Sequence, residues 1–179
     1  FKGFDVAVRG FLAAVDAGLD GWMMLVGEPD PAHDSGLTAA ERGVVAGHPR
    51  ILRLGWREDV ARCLAAADVM LLPSRREGMP VAAMESLAVG TPVITIDSRG
   101  CRDVVRDGID GLVLPAADPT LVAEALTRCR TDHDLLPRLR AAAIEGRSRF
   151  DRRRFSTEQA DLYAETLRAR DRSPGEHGP

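Results

Sequence analysis

Five short apolar runs recur along the chain: WMMLV (22–26), RILRL (50–54), DVMLLP (68–73), PVITI (92–96) and GLVLP (111–115). Each is bounded by Gly, Pro or Asp, and none alternates cleanly between apolar and polar residues. Runs of this length and punctuation suit strands buried on both faces. The spacing between them leaves room for a helix each time, which predicts a parallel sheet built from strand-helix units. The helical patterns fall at 4–17, 37–46, 59–66, 80–89, 119–130, 134–148 and 155–170. The expected fold is a doubly wound α/β domain over residues 1–170, followed by a polar, Pro- and Gly-bearing tail at 171–179 that should be disordered.

Composition narrows the function classes. The 179 residues are 45% hydrophobic and carry a net charge of -3, enough apolar material for one core and no basic field for nucleic acid. No run has the length needed to span a bilayer. Cys63, Cys101 and Cys129 are odd in number and lack a CxxC pair, so the sequence suggests neither a disulfide framework nor a zinc site. A cytoplasmic enzyme or binding domain is expected. The chain opens Phe1-Lys2-Gly3 without an initiator Met, which reads as a start inside a longer protein.

In a doubly wound sheet, ligands sit beyond the carboxyl ends of the strands, so the loops after each strand are the places to look. Those loops read Gly27-Glu28, Gly55-Trp56-Arg57, Ser74-Arg75-Arg76-Glu77-Gly78-Met79 and Asp97-Ser98-Arg99-Gly100. They supply glycines for close backbone approach, several arginines and Glu77 along one rim. Arg57 and Trp56 lie on a loop that could serve a base. Pro80 suits a first helical turn, leaving the amides of Val81 and Ala82 free to meet an anion. Glu85 is the only ionisable residue from Val81 to Val89, and a carboxylate in so apolar a helix is expected to need partners. An ionised carboxylate only accepts hydrogen bonds, so Glu85 matches two adjacent hydroxyls such as those of a ribose, and Glu77 a second polyol. The competing structural readings are a dipole-complementing Glu77 and a Glu85 paired with arginine.

The stretch PSRREGMPVAAMESLAVGTPVI places Glu77 and Glu85 in a pattern that resembles the E-x7-E motif of the family-4 retaining glycosyltransferases of GT-B architecture. KGFDVAVRGFLAA, LGWREDVARCLAAADVMLLPS and SRGCRDVVRDGIDGLVLPAADP resemble successive blocks of that family's C-terminal, nucleotide-sugar-binding domain. The resemblance covers about residues 1–170. It implies a Rossmann-like fold and transfer of a hexosyl group, with retention, from a nucleotide diphosphate sugar, UDP-sugars foremost. It implies a polysaccharide or glycolipid acceptor, no metal, and a peripheral location at the inner membrane face as one option. Glu77 would lie at the transferred sugar, and Glu85 would hold the ribose. The backbone of Gly78, Met79, Val81 and Ala82 would run along sugar and diphosphate, and Lys2 would contact the phosphates. Lys2 is the only lysine among 24 basic residues.

The family pattern also has a strand and an arginine before Lys2-Gly3, and an N-terminal acceptor-binding domain. None of these is in the 179 residues. The missing strand would lie between the runs at 22–26 and 68–73, so its absence should leave a gap or force those neighbours together. Pro80 stands where relatives often have Gly, and Asp103 where Glu is common. The alternatives are a nucleotide-sugar epimerase of the same architecture, or a truncated, non-catalytic nucleotide-binding module. Asp132-His133-Asp134 has the look of a metal-binding DxD but sits where a helix cap is expected. The histidines His33, His48, His133 and His177 show no ligand spacing. The basic run at 147–154 reads as a solvated turn between the last two helices.

Overall fold

The structure, a computed structural model, describes residues 2–28 and 35–171, with side chains through residue 168. Within it run α1 (Phe4–Asp16), β1 (Met23–Val26), α2 (Ala39–Gly47), β2 (Ile51–Gly55), α3 (Val60–Ala66), β3 (Met70–Leu72) and α4 (Val81–Ala88). Then come β4 (Val93–Ile96), α5 (Cys101–Val104), β5 (Gly111–Leu114), α6 (Pro119–Thr131), α7 (Leu135–Gly146), a 3-10 turn (Arg147–Phe150) and α8 (Arg152–Asp171). All five strands lie where apolar runs predict them. His33, His177 and all of the expected tail except residue 171 lie outside the described residues.

The strands form two parallel sheets, β1-β2 and β3-β4-β5. Among the described residues β1 and β3 do not pair with each other, so the position between them is a gap in hydrogen bonding rather than a new contact. One hydrophobic cluster still serves both sheets. It contains Met23 and Ile51 from the first, Ile94 and Leu112 from the second, and Val8, Phe11, Val122, Leu126 and Leu139 from α1, α6 and α7. Helices α1 and α6 cross closely at Gly10, where a Cβ would fall 2.6 Å from Val122. On β4, Ile94 joins this cluster, while Val93 is buried outside it. Helices α4 and α5 lie against β3 and β4 and bury Ala83, Leu87, Cys101 and Val104.

Local chemistry explains the element ends. Thr38 and Glu41 form a reciprocal capping box on α2, with the Glu41 amide donating to Thr38 Oγ1 at 3.2 Å and the Thr38 amide to Glu41 Oε2 at 2.7 Å. Asp118 accepts from the Thr120 amide at 2.8 Å, with Pro119 at the first position of α6. Asp132 accepts from the Asp134 amide at 3.2 Å, between α6 and α7.

The chain divides into two compact units, Phe1–Arg147 and Ser148–Pro179. In the second, α8 starts at Arg152, three residues before the expected 155. The basic run is therefore not one solvated turn: it spans the 3-10 turn and the first turn of α8, where Arg154 pairs with Glu158 at 2.6 Å. An (i, i+4) pair adds a small increment to helix stability there. The short helix α5 has no counterpart among the helical patterns of the sequence, since its four residues are too few to show a period.

Candidate functional site

Residues 75 positions apart meet at the carboxyl end of β3. Gly3 caps α1 in the left-handed region (φ 74), and a Cβ there would fall 2.0 Å from the Pro73 carbonyl oxygen. Only glycine allows this approach, and it lays Lys2 beside the β3–α4 loop. Lys2 Nζ donates to both carboxylate oxygens of Glu77, at 2.8 and 2.9 Å. The Glu77 side chain is 8% exposed and that of Lys2 is 62% exposed. The carboxylate is thus set into the protein with its counter-ion on the solvent side.

The β4–α5 loop fixes the other side of Glu77. Ser98 Oγ donates to the Ser74 carbonyl at 2.8 Å. Gly100, at φ 84, comes so close that a Cβ would lie 2.7 Å from the Glu77 carbonyl oxygen and 2.8 Å from that of Gly78. Asp103 accepts from the Gly100 amide at 3.1 Å, so the shorter acid keeps the capping role at this turn. The two loops enclose a cleft of about 410 Å3 lined by Arg75, Arg76, Glu77, Gly78 and Arg99, within the roughly 300–1,000 Å3 of small-ligand sites.

Helix α4 begins at the same place. Pro80 is its N-cap, one position earlier than a first-turn role, and its carbonyl accepts from the amides of Ala83 and Met84 at 2.9 and 3.1 Å. The amides of Val81 and Ala82 are left without an intrahelical acceptor. Met79, Val81, Ala82 and Glu85 are all exposed. This speaks against the competing reading in which Glu85 is a buried partner of an arginine. The helix is apolar on nearly every side, but it turns Ala83, Ser86 and Leu87 inward, so Glu85 projects to solvent. Among the described residues it makes no ion pair or side-chain hydrogen bond, which leaves both oxygens available to an incoming ligand.

Arg57 is placed differently. It lies in the loop after β2 and is held in a bidentate pair by Asp59, with Nε and Nη2 each 2.8 Å from a carboxylate oxygen. That hydrogen bond raises the Arg57 pKa and lowers that of Asp59. Arg57 is not among the residues lining the cleft; Glu77 and Gly78 are, and Lys2 joins them through its hydrogen bonds to Glu77. Arg75, Arg76 and Arg99 line it without having been singled out by motif; their signal in the sequence is arginine directly after two consecutive strands. The cysteines are free, and burial pushes the Cys129 thiol up to about 11. Among the described residues no helix is long and apolar enough to cross a membrane, and no three His, Cys, Asp or Glu residues are grouped to hold a metal.

Known proteins resemble this chain in sequence and in architecture. The D-inositol 3-phosphate glycosyltransferase of Streptomyces bingchenggensis (strain BCW-1) is 35% identical over 122 residues, covering 68% of this chain and 27% of that protein. The UDP-Gal:alpha-D-GlcNAc-diphosphoundecaprenol alpha-1,3-galactosyltransferase of Escherichia coli is 39% identical over 83 residues, covering 46% of this chain and 21% of that protein. The chain thus spans about a quarter of the length of the curated relatives it matches. The crystal structure of Anabaena Alr3699/HepE in complex with UDP superposes with a TM-score of 0.80 at 19% identity, over 92% of this chain and 45% of that one. The sucrose-phosphate synthase of Thermosynechococcus elongatus superposes with a TM-score of 0.74 at 27% identity, over 91% of this chain and 43% of that one. The family description "Glycosyl transferases group 1" matches residues 1–132, most of the chain, and the chain therefore belongs to the group 1 glycosyltransferases.

Proposed function

We propose that this chain is the donor-binding half of a retaining glycosyltransferase that moves a hexosyl group from a nucleotide diphosphate sugar, a UDP-sugar foremost, to a polysaccharide or glycolipid acceptor. The observation that carries the reading is the placement of the two glutamates. Glu77 is inset beside the cleft and held by Lys2, while Glu85 stands unpartnered on the exposed face of the helix that starts there.

A ligand laid along this surface meets its groups in a sensible order. Glu85 accepts from adjacent ribose hydroxyls. The free amides at the start of α4 and the Lys2 ammonium attract the diphosphate. Glu77 lies by the transferred sugar. Departure of the nucleoside diphosphate develops negative charge on its outer phosphate, which Lys2 and the helix start stabilise without need of a metal. The acceptor would be supplied by a further domain closing over the cleft. Relatives named for transfer to inositol phosphate and to a diphospholipid-linked sugar, and the fold shared with a structure holding UDP, support this assignment.

Titration calorimetry of the chain with UDP, GDP and ADP tests it. UDP is expected to bind, and Glu85→Ala to weaken it about tenfold through loss of charge-assisted ribose hydrogen bonds. Absence of binding by every nucleotide would sink the donor reading. UDP affinity untouched by Glu85→Ala would remove Glu85 from the ribose.

A further inference from the structure

The arginines of the cleft have no role in the donor assignment, and what sets them apart is that three of them line one cleft. Arg9, Arg50, Arg57, Arg102, Arg106 and Arg154 each pair with a carboxylate at 3.1 Å or less. Among the described residues Arg76 and Arg99 have no such partner, and Arg75 has only Asp5 at 3.9 Å. The acids that could neutralise them are already engaged. Glu77 is bidentate to Lys2, Asp97 is 2.8 Å from Arg102, Asp103 accepts from the Gly100 amide, and Asp5 is 3.1 Å from Arg9. The loops that carry Arg76 and Arg99 are pinned together by Gly100 against Glu77 and by Ser98 on Ser74. Arg76 and Arg99, unpaired among the described residues, and the loosely paired Arg75 therefore line one cleft whose own carboxylate, Glu77, is already engaged by Lys2, an arrangement that a bound anion would stabilise.

We propose that Arg75, Arg76 and Arg99 form an oxyanion subsite, distinct from the place of the donor diphosphate, for a carboxylate on the transferred sugar or a phosphate on the acceptor. Guanidinium forks match the planar carboxylate and the phosphate face alike, so the subsite selects the charge rather than its carrier. Its position next to Glu77 puts that charge beside the sugar rather than at the nucleoside. The inference rests on the donor reading for where the diphosphate lies.

Calorimetry at about 0.15 M ionic strength, where distant charges are screened, tests it on the wild-type chain and on Arg76→Gln combined with Arg99→Gln. Both side chains are exposed, so the variant should keep the wild-type urea midpoint; the single Arg99→Gln is read in the same way. The first arm compares UDP-glucuronate with UDP-glucose. A preference of about tenfold for the uronate, lost in the variant while UDP binding stays within twofold, identifies a sugar carboxylate. The second arm titrates glucose 1-phosphate into the UDP-saturated chain. Binding that disappears in the variant identifies an acceptor phosphate. The inference is overturned if neither effect occurs, if either effect survives in the variant, or if UDP affinity falls as far as the others, because the arginines would then serve the diphosphate. If no nucleotide binds but glucose 1-phosphate binds through the arginines, the oxyanion subsite stands and the donor assignment falls.

Discussion

The two sheets are built from similar apolar strands and are covered very differently. In the β3-β4-β5 sheet, all four residues of β4 are buried, and side chains tie neighbouring segments together: Thr95 Oγ1 donates to the Leu72 carbonyl at 2.7 Å and Ser98 Oγ to that of Ser74 at 2.8 Å. In the β1-β2 sheet only Met23 and Ile51 are buried, Leu52 is 42% exposed, and Trp56 just beyond β2 is 76% exposed. Among the described residues, β1 lacks a second strand neighbour. The difference separates two tasks. Glu77 and the arginine cleft rest on the covered sheet, where each loop is braced by the next, whereas Arg57 and Trp56 belong to the open one. For the proposed sugar site such bracing would matter, because small displacements of positioning groups cost rate.

Core truncation should separate the sheets most. Ile94→Ala, at a site 1% exposed, is expected to cost about 4 kcal/mol in urea unfolding. Leu52→Ala in the open sheet should cost under about 1 kcal/mol. Similar losses from both would dissolve the contrast.

A glycine pair sharpens it at the loops. Gly100→Ala meets both a positive φ and backbone oxygens within 3 Å, and should cost about 3 kcal/mol while displacing the Glu77 loop. Gly27→Ala, after β1, shares the positive φ but has nothing within 4 Å, so only its backbone strain of about 1–2 kcal/mol should appear in the same unfolding experiment.

The smallest effect belongs to an ion pair on α2, the helix that packs against β2. The Arg9 side chain, 2.6 Å from Glu41, and the Thr38 amide hold the Glu41 carboxyl at about 2, below its ordinary 4.5. Because the folded value is depressed, the pair contributes fully above pH 4.5 and the contribution is lost as pH falls toward 2. Unfolding midpoints of wild type and Glu41→Gln should therefore differ above that window and converge within it, by a small amount for a solvated pair.

The strands and most helices could be read from local pattern because each depends on a few adjacent residues. Apolar runs ended by Gly or Pro mark β1 to β5 to within two residues, and the Thr38-x-x-Glu41 and Asp118-Pro119 signals mark helix starts. The exposure of Glu85 is not legible in the sequence for a specific reason. A helix reading Val-Ala-Ala-Met-Glu-Ser-Leu-Ala has weak amphipathicity, so its composition does not say which face meets the core. The contacts of α4 with β3 and β4 make that choice.

By itself the sequence determined the order of the five strands and of the longer helices and the glutamate spacing, all of them local properties of hydrophobic period and turn chemistry. Tertiary structure alone decided that Lys2 closes on Glu77 across 75 positions, that Glu85 faces water, and that Arg76 and Arg99 share a cleft in which, among the described residues, neither forms an ion pair. Those outcomes depend on which loops the parallel sheet brings side by side and on which carboxylates other partners have already engaged, and neither is encoded in any single stretch of chain.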